Sequence, residues 1–218
     1  PDDMEYGASA AVAAGPGAGI AVCYLLLTRG EAGMAQEPEI VGPLREQEQL
    51  AACARVGVEH LRYLDHPDGM LEGGLALRCD IARVVREVRP DLVLTANFEV
   101  EAYGGLNQAD HRVAGLAAVD AARDAANPWV FRELAEVEGL APWRARALLV
   151  AGHPQPTHAK RVDAEQVLAA VQSLQAHQAY LDHVQGHPLP EEFIPEILRA
   201  GGEAAGSEHA VVLRVFDL

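Results

Sequence analysis

Apolar runs of strand length alternate with amphipathic stretches of helix length along most of the chain. No other feature restricts the fold so strongly. Residues 20–27 form a continuous apolar run, the pattern of a strand covered on both faces. Residues 44–56 read as a helix, with Leu50 and Cys53 three apart on one face. Residues 59–64 read as a short strand. Leu77, Ile81, Val84, Val85 and Val88 recur at helical spacing and give one apolar stripe. Arg89-Pro90-Asp91 ends that helix, because proline cannot continue the ladder. Residues 92–96 form the next strand, and 110–126 an alanine-rich helix closed by Asn127-Pro128. A strand over 147–150 follows, then a long helix with Val167, Val171, Leu174 and Leu181 on one face. The pattern ends in a proline-rich connector (188–195), a short helix (196–200) and a last strand (210–216). This order predicts an α/β, Rossmann-like fold: a mostly parallel, twisted sheet sandwiched by helices. Ligands of such sheets sit at the carboxyl ends of the strands. The polar clusters of this chain come just after predicted strands.

At 218 residues the chain has the size of one domain, and folding hides about 70% of the surface of such a chain. Acidic residues number 32 against 17 basic ones, a net charge of -15. A surface that negative repels phosphate backbones and anionic lipid, so neither nucleic acid nor membrane is an expected partner. The apolar run over 20–27 is too short to span a bilayer. Cys23, Cys53 and Cys79 are odd in number and widely spaced, which points away from a disulfide framework and toward a reducing cytoplasm.

Two clusters carry candidate chemistry. The chain opens Pro1-Asp2-Asp3 ahead of a predicted helix. Adjacent side chains diverge, so one carboxylate can bind a metal while the other holds a water. The plainer alternative is a helix-capping pair. The second cluster, Asn107-Gln108-Ala109-Asp110-His111, begins a helix after a loop rich in glycine and acid. A histidine there can bind a metal through one ring nitrogen while a neighbour orients the other. Its alternative is a solvated first-turn residue. His66-Pro67-Asp68-Gly69 reads as a turn near a site mouth, with Asp68 a candidate substrate contact. Arg45 can pin a hydroxyl or an anionic group, or lie on a solvated helix face. His153, His158, His177, His183 and His187 fit no metal spacing and read as surface or loop residues, with His153 and His158 the best candidates for a substrate loop. Gly15, Gly17 and Gly19 precede a strand instead of following one, which is the wrong order for a dinucleotide fingerprint.

Taken in order, these segments resemble a known family. Pro1-Asp2-Asp3, Thr28-Arg29-Gly30-Glu31-Ala32-Gly33, Arg45 with Glu48, Asp68-Gly69, Arg89-Pro90-Asp91 and Asp110-His111 are similar to the PIG-L/LmbE-like zinc-dependent N-deacetylases. The likeness covers about residues 1–125. Beyond them it rests on a strand, a His-Pro-x-Pro-Thr-His loop and a long helix. It implies one deacetylase-like domain over 1–218, with 186–218 a C-terminal extension of it. It implies one Zn²⁺ per chain, with Asp3 and His111 as ligands and Asp2 as general base. The remaining ligand, a histidine, and the first strand fall ahead of Pro1, so the expectation is a natural protein that extends further at that end. Gln108 departs from the family, which often carries a histidine there. An amide donates a hydrogen bond to the carbonyl oxygen but delivers no proton. Gln108 and Asp110 stand with Asp2 as catalytic candidates, and Arg45, Asp68 and Asn107 as substrate contacts. The implied activity is removal of an N-acyl group, N-acetyl above all, from an amino sugar or a small molecule bearing one. The product would be neutral or cationic, and a homo-oligomer is compatible with all of this. The alternatives are a non-catalytic sugar- or partner-binding relative and an amidase acting on a thiol-sugar conjugate.

Overall fold

The computed structural model describes all of residues 1–218. Its strands form three sheets: β1 with β2, a four-stranded sheet ordered β3-β6-β8-β7, and the hairpin β4-β5. The chain packs into two compact units, residues 1–69 with 159–212 and residues 70–158 with 213–218.

In the first unit, α1 (Asp3–Gly7) and α2 (Ser9–Gly17) precede β1 (Cys23–Leu26). Helix α3 (Pro38–Arg55) crosses back to β2 (His60–Tyr63), which pairs with β1 in parallel from Cys23↔His60 to Leu26↔Tyr63. This is a βαβ unit. Val12, Tyr24, Cys53, Val56 and Val58 form its core. The strand is shorter than the apolar run over 20–27 suggests. Ile20 is 56% exposed and only Tyr24 of the strand is buried, so β1 is not covered on both faces. The long helix expected around Val167–Leu181 is two helices, α7 (Ala164–Gln175) and α8 (Gln178–His183), and Leu181 lies on the second. The capping box of Asp163 and Gln166 starts α7. The expected connector over 188–195 is helical from Pro190 on. It opens α9 (Pro190–Ala205), in which Pro190 occupies the first turn, where no N–H is needed.

In the second unit, α4 (Leu75–Val88) buries Leu77, Ile81 and Val85 and packs on α5 (Ala109–Ala126). Between them run β3 (Leu92–Ala96) and the hairpin β4 (Glu101–Ala102) and β5 (Gly105–Leu106). After α6 (Arg132–Glu136), β6 (Ala147–Ala151) pairs with β3 in parallel, from Leu92↔Ala147 to Ala96↔Ala151. The end of β8 (Ala210–Asp217) lies antiparallel on β6. The edge strand β7 (His158–Arg161) begins at His158 of this unit, and its other residues belong to the first. Ala122, Leu148 and Val150 form the core, joined by Val93, Phe98 and Val119. Gly115 of α5 admits Phe98, whose Cβ would lie 2.5 Å from a methyl at that position.

Candidate active site

Asp2 stands at the entry to α1 in the left-handed region (φ 73), and its side chain makes no capping hydrogen bond. It is 6% exposed. Its N–H donates to Gln49 Oε1 at 3.0 Å, and its Oδ2 lies 3.2 Å from Arg45 Nη2. Arg45 is itself clamped. Nη1 donates to Glu48 Oε2 at 3.0 Å, Nη2 donates to the Pro1 carbonyl at 3.3 Å, and the guanidinium lies 4.1 Å from the Tyr180 ring centroid. Glu48 Oε1 accepts from Ala179 N–H at 2.6 Å. Gln49 also donates to Glu5 Oε1 at 3.0 Å, and Ser173 Oγ donates to the same oxygen at 3.3 Å. Burial, then the neighbouring Asp3 charge, push the Asp2 carboxyl up to about 7, against the pull of the amino group of Pro1 and of Arg45. Burial likewise raises the Glu5 carboxyl. A carboxyl poised near neutral pH has the proton affinity that a general base needs. Asp3, the next residue, is exposed.

At the head of α5 in the other unit, Asn107 ties a loop shut. Its Nδ2 donates to the carbonyls of Asn97 (2.8 Å) and Glu99 (3.0 Å), and its N–H donates to Val100 O at 2.9 Å. Asn107 Oδ1 meets His111 Nδ1 at 3.1 Å. As an acceptor, that oxygen holds the ring proton on Nδ1 and leaves the lone pair on Nε2. This is the orienting contact that metal-bound histidines carry. Gln108 is exposed and caps nothing with its side chain. Asp110 Oδ1 accepts from Leu71 N–H at 3.2 Å, in the first helical turn, where a carboxylate is favoured.

The expected substrate contacts are all engaged within their own units. Arg45 is not a solvated face residue: it is buried in the clamp around Asp2. Asn107 is buried and braces His111. Asp68 accepts from Thr28 Oγ1 (2.8 Å) and Ala32 N–H (3.0 Å), so it organises the loop after β1. His177, expected at the surface, is fully buried. Both its ring nitrogens lack hydrogen-bond partners, as do Asp2 Oδ2, Glu5 Oε2 and Arg45 Nε. The polar partners Glu5, Gln49 and Tyr180 escape the sequence reading. Arg45, Glu48 and Gln49 at i, i+3 and i+4 make a polar stripe on one helix face, a legible signal. His177 falls three residues after Leu174, which extends the buried face of α7.

The donors implied for zinc are a carboxylate and an imidazole, both of which zinc accepts. The His111–Asn107 contact suits such a role. No three His, Cys, Asp or Glu side chains of this chain gather into a ligand set. Asp3 and His111 therefore fit zinc in chemistry, as part of a set and not as a whole one.

Comparison with known proteins bears on the same segments. The family model PIG-L, described as GlcNAc-PI de-N-acetylase, matches residues 1–122. A 1D-myo-inositol 2-acetamido-2-deoxy-alpha-D-glucopyranoside deacetylase of Kineococcus radiotolerans is 33% identical over 63% of this chain and 49% of its own. A diacetylchitobiose deacetylase of Thermococcus kodakarensis is 32% identical over 68% of this chain and 55% of its own. The chain thus spans about half the length of these two relatives. The N,N'-diacetylchitobiose deacetylase of Pyrococcus horikoshii superposes over all of this chain and 80% of its own, with a TM-score of 0.87 at 18% identity, a likeness of fold. No helix is long and apolar enough to cross a membrane.

Proposed function

The chain belongs to the PIG-L family of GlcNAc-PI de-N-acetylases, and from that premise we propose that it is a zinc-dependent hydrolase that removes an N-acetyl group from an amino sugar or a small molecule bearing one. The observation that carries the reading is Asp2. It falls where the family's general base is expected, and it is buried against Arg45 with its carboxyl pushed up to about 7.

Asp3 and His111 would hold the metal, which when bound would polarise the amide carbonyl and acidify a water. Asp2 takes the proton of the attacking water. The Arg45 clamp fixes the carboxylate for that step, and Arg45 is in turn fixed by Glu48 and Tyr180. Asn107 holds the His111 ring in one orientation. Gln108, whose side chain is spared from capping, donates a hydrogen bond to the developing oxyanion. It cannot deliver a proton, so the proton that Asp2 has taken returns from Asp2 to the leaving amine. Asp110, held by Leu71 N–H, adds negative charge beside His111 and strengthens it as a donor.

The test pairs metal content with acetate release from an N-acetylglucosaminyl substrate. About one zinc per chain with hydrolysis is expected, and His111→Ala should lose both. Retained zinc and full activity in His111→Ala would refute the ligand assignment. Sugar binding without zinc or hydrolysis would favour a non-catalytic relative.

A further inference from the structure

The hairpin between β3 and α5 presents an aromatic ring that the reaction does not use. Its two strands pair Glu101↔Leu106 and Ala102↔Gly105, joined by Tyr103-Gly104. Both turn residues have positive φ, 55 at Tyr103 and 81 at Gly104. A two-residue turn of this kind prefers Asn-Gly, and a bulky residue at its first position is strained. Such strain collects at functional sites. Tyr103 is nonetheless 68% exposed, and Leu106 beside it is 83% exposed.

Close packing sets where the ring lies. Gly152, at the end of β6, has φ 67, and a methyl there would come within 2.8 Å of Tyr103 Cε1 and 3.0 Å of its hydroxyl oxygen. The next residue, His153, accepts from Gln155 N–H through Nδ1 at 3.0 Å. In the neutral ring the proton then sits on Nε2, which makes that nitrogen a donor. His153 Nε2 lies 3.9 Å from Glu99 Oε1, and the Glu99 carboxylate is half-exposed. The base of the loop is tied by Asn107, the residue that also braces His111.

An exposed ring face on the hairpin, a carboxylate acceptor on the loop before it and, 3.9 Å from that carboxylate on the segment after β6, a mostly buried N–H donor match the chemistry of a pyranose. Its C–H face stacks on an aromatic ring, and its hydroxyls both accept and donate. We propose that Tyr103, His153 and Glu99 form a subsite for a neutral sugar ring, the residue attached to the one that loses its acetyl group. The choice of ligand class rests on the amino-sugar reading. Glu99 and the net charge of -15 weigh against an anionic ligand.

The test uses cellobiose, a neutral disaccharide with no amide to cut, followed by saturation-transfer NMR. The wild-type protein should transfer magnetisation to the sugar ring protons. Tyr103→Ala should weaken binding roughly tenfold, the scale of one aromatic contact, while Tyr103→Trp keeps it. Gly152→Ala, which drives a methyl into the Tyr103 ring, should weaken binding as Tyr103→Ala does. Tyr103 is exposed, so its variants keep the fold even where Gly152→Ala does not. A wild-type protein that ignores cellobiose, or a Tyr103→Ala variant that binds it as well as wild type, overturns the subsite. Failure of the deacetylase reading would appear separately, as absent acetate release.

Discussion

Asp2 holds a carboxylate where its own charge is disfavoured, and a single amide substitution separates its two possible roles. Asp2→Asn keeps shape and removes the proton acceptor. General-base catalysis is worth about 10²–10⁴-fold, so kcat should fall by that order while zinc stays bound. Loss of zinc with normal turnover per bound metal would make Asp2 a ligand. Gln108→Ala tests a smaller effect. One donor to an oxyanion is worth roughly 3 kcal/mol where water is excluded; Gln108 is exposed in the structure, so turnover should drop by up to about a hundredfold, with KM little changed. Unchanged turnover would leave Gln108 an ordinary loop residue. The pairs Asp2-Asp3 and Asp110-His111 stand out in the sequence as adjacent residue types that could serve the proposed chemistry. Arg45 shows what is not legible. The same letters suit a solvated helix face, a substrate contact or a buried clamp, and only the position of Glu48, Pro1 and Tyr180 around it decides.

Elements were readable where packing agrees with local pattern. The strand expected at 92–96 is β3, residue for residue, because Arg89 caps α4 in the left-handed region and Pro90 stops the ladder. The stripe from Leu77 to Val85 became the buried face of α4. The run over 20–27 misled, since apolar character alone does not say that a neighbour covers the strand. The break between α7 and α8 has no local mark, because His177 continues the helical spacing. Hairpin β4-β5 was hidden by its turn, where tyrosine stands at a position that favours asparagine. Helix α5 depends on a contact that no pattern announces. Arg86, almost fully buried, donates to the carbonyls of Asp124, Ala125, Asn127, Val130 and Phe131 and so satisfies the C-terminal end of α5 and the turn after it. Arg86→Met should keep much of the volume and strand those acceptors. Each buried unsatisfied group costs about 1–3 kcal/mol, so a loss of at least 3 kcal/mol is expected by urea denaturation. A loss below about 1 kcal/mol would show that water replaces the guanidinium.

For the molecule as a whole, buried titratable groups tie folding to pH in opposing directions. Burial pushes His177 from 6.5 down to about 3. An unfolded chain therefore binds a proton on His177 between those values, and the folded chain does not. Stability from this group is full above 6.5 and is lost as pH falls toward 3. Asp2 and Glu5 act the other way. Their folded carboxyls hold protons that the unfolded chain releases above about 4, so their contribution is lost as pH rises. A plain pH titration of stability mixes these slopes with those of the exposed acids. A variant comparison isolates one of them. His177→Met is apolar, of similar size and cannot titrate. The stability difference between the variant and wild type should move in favour of the variant as pH falls from 7 to 4. The full linkage for a shift from 6.5 to about 3 is roughly 5 kcal/mol at 1.36 kcal/mol per unit, and about two-thirds of it lies above pH 4. Urea midpoints at constant slope, measured for both proteins at pH 7, 5.5 and 4, give the difference directly. A gap that stays constant across the series would mean that His177 takes up a proton in the folded state as readily as in water, and that the negative charge of Asp3 offsets burial and the Arg45 charge.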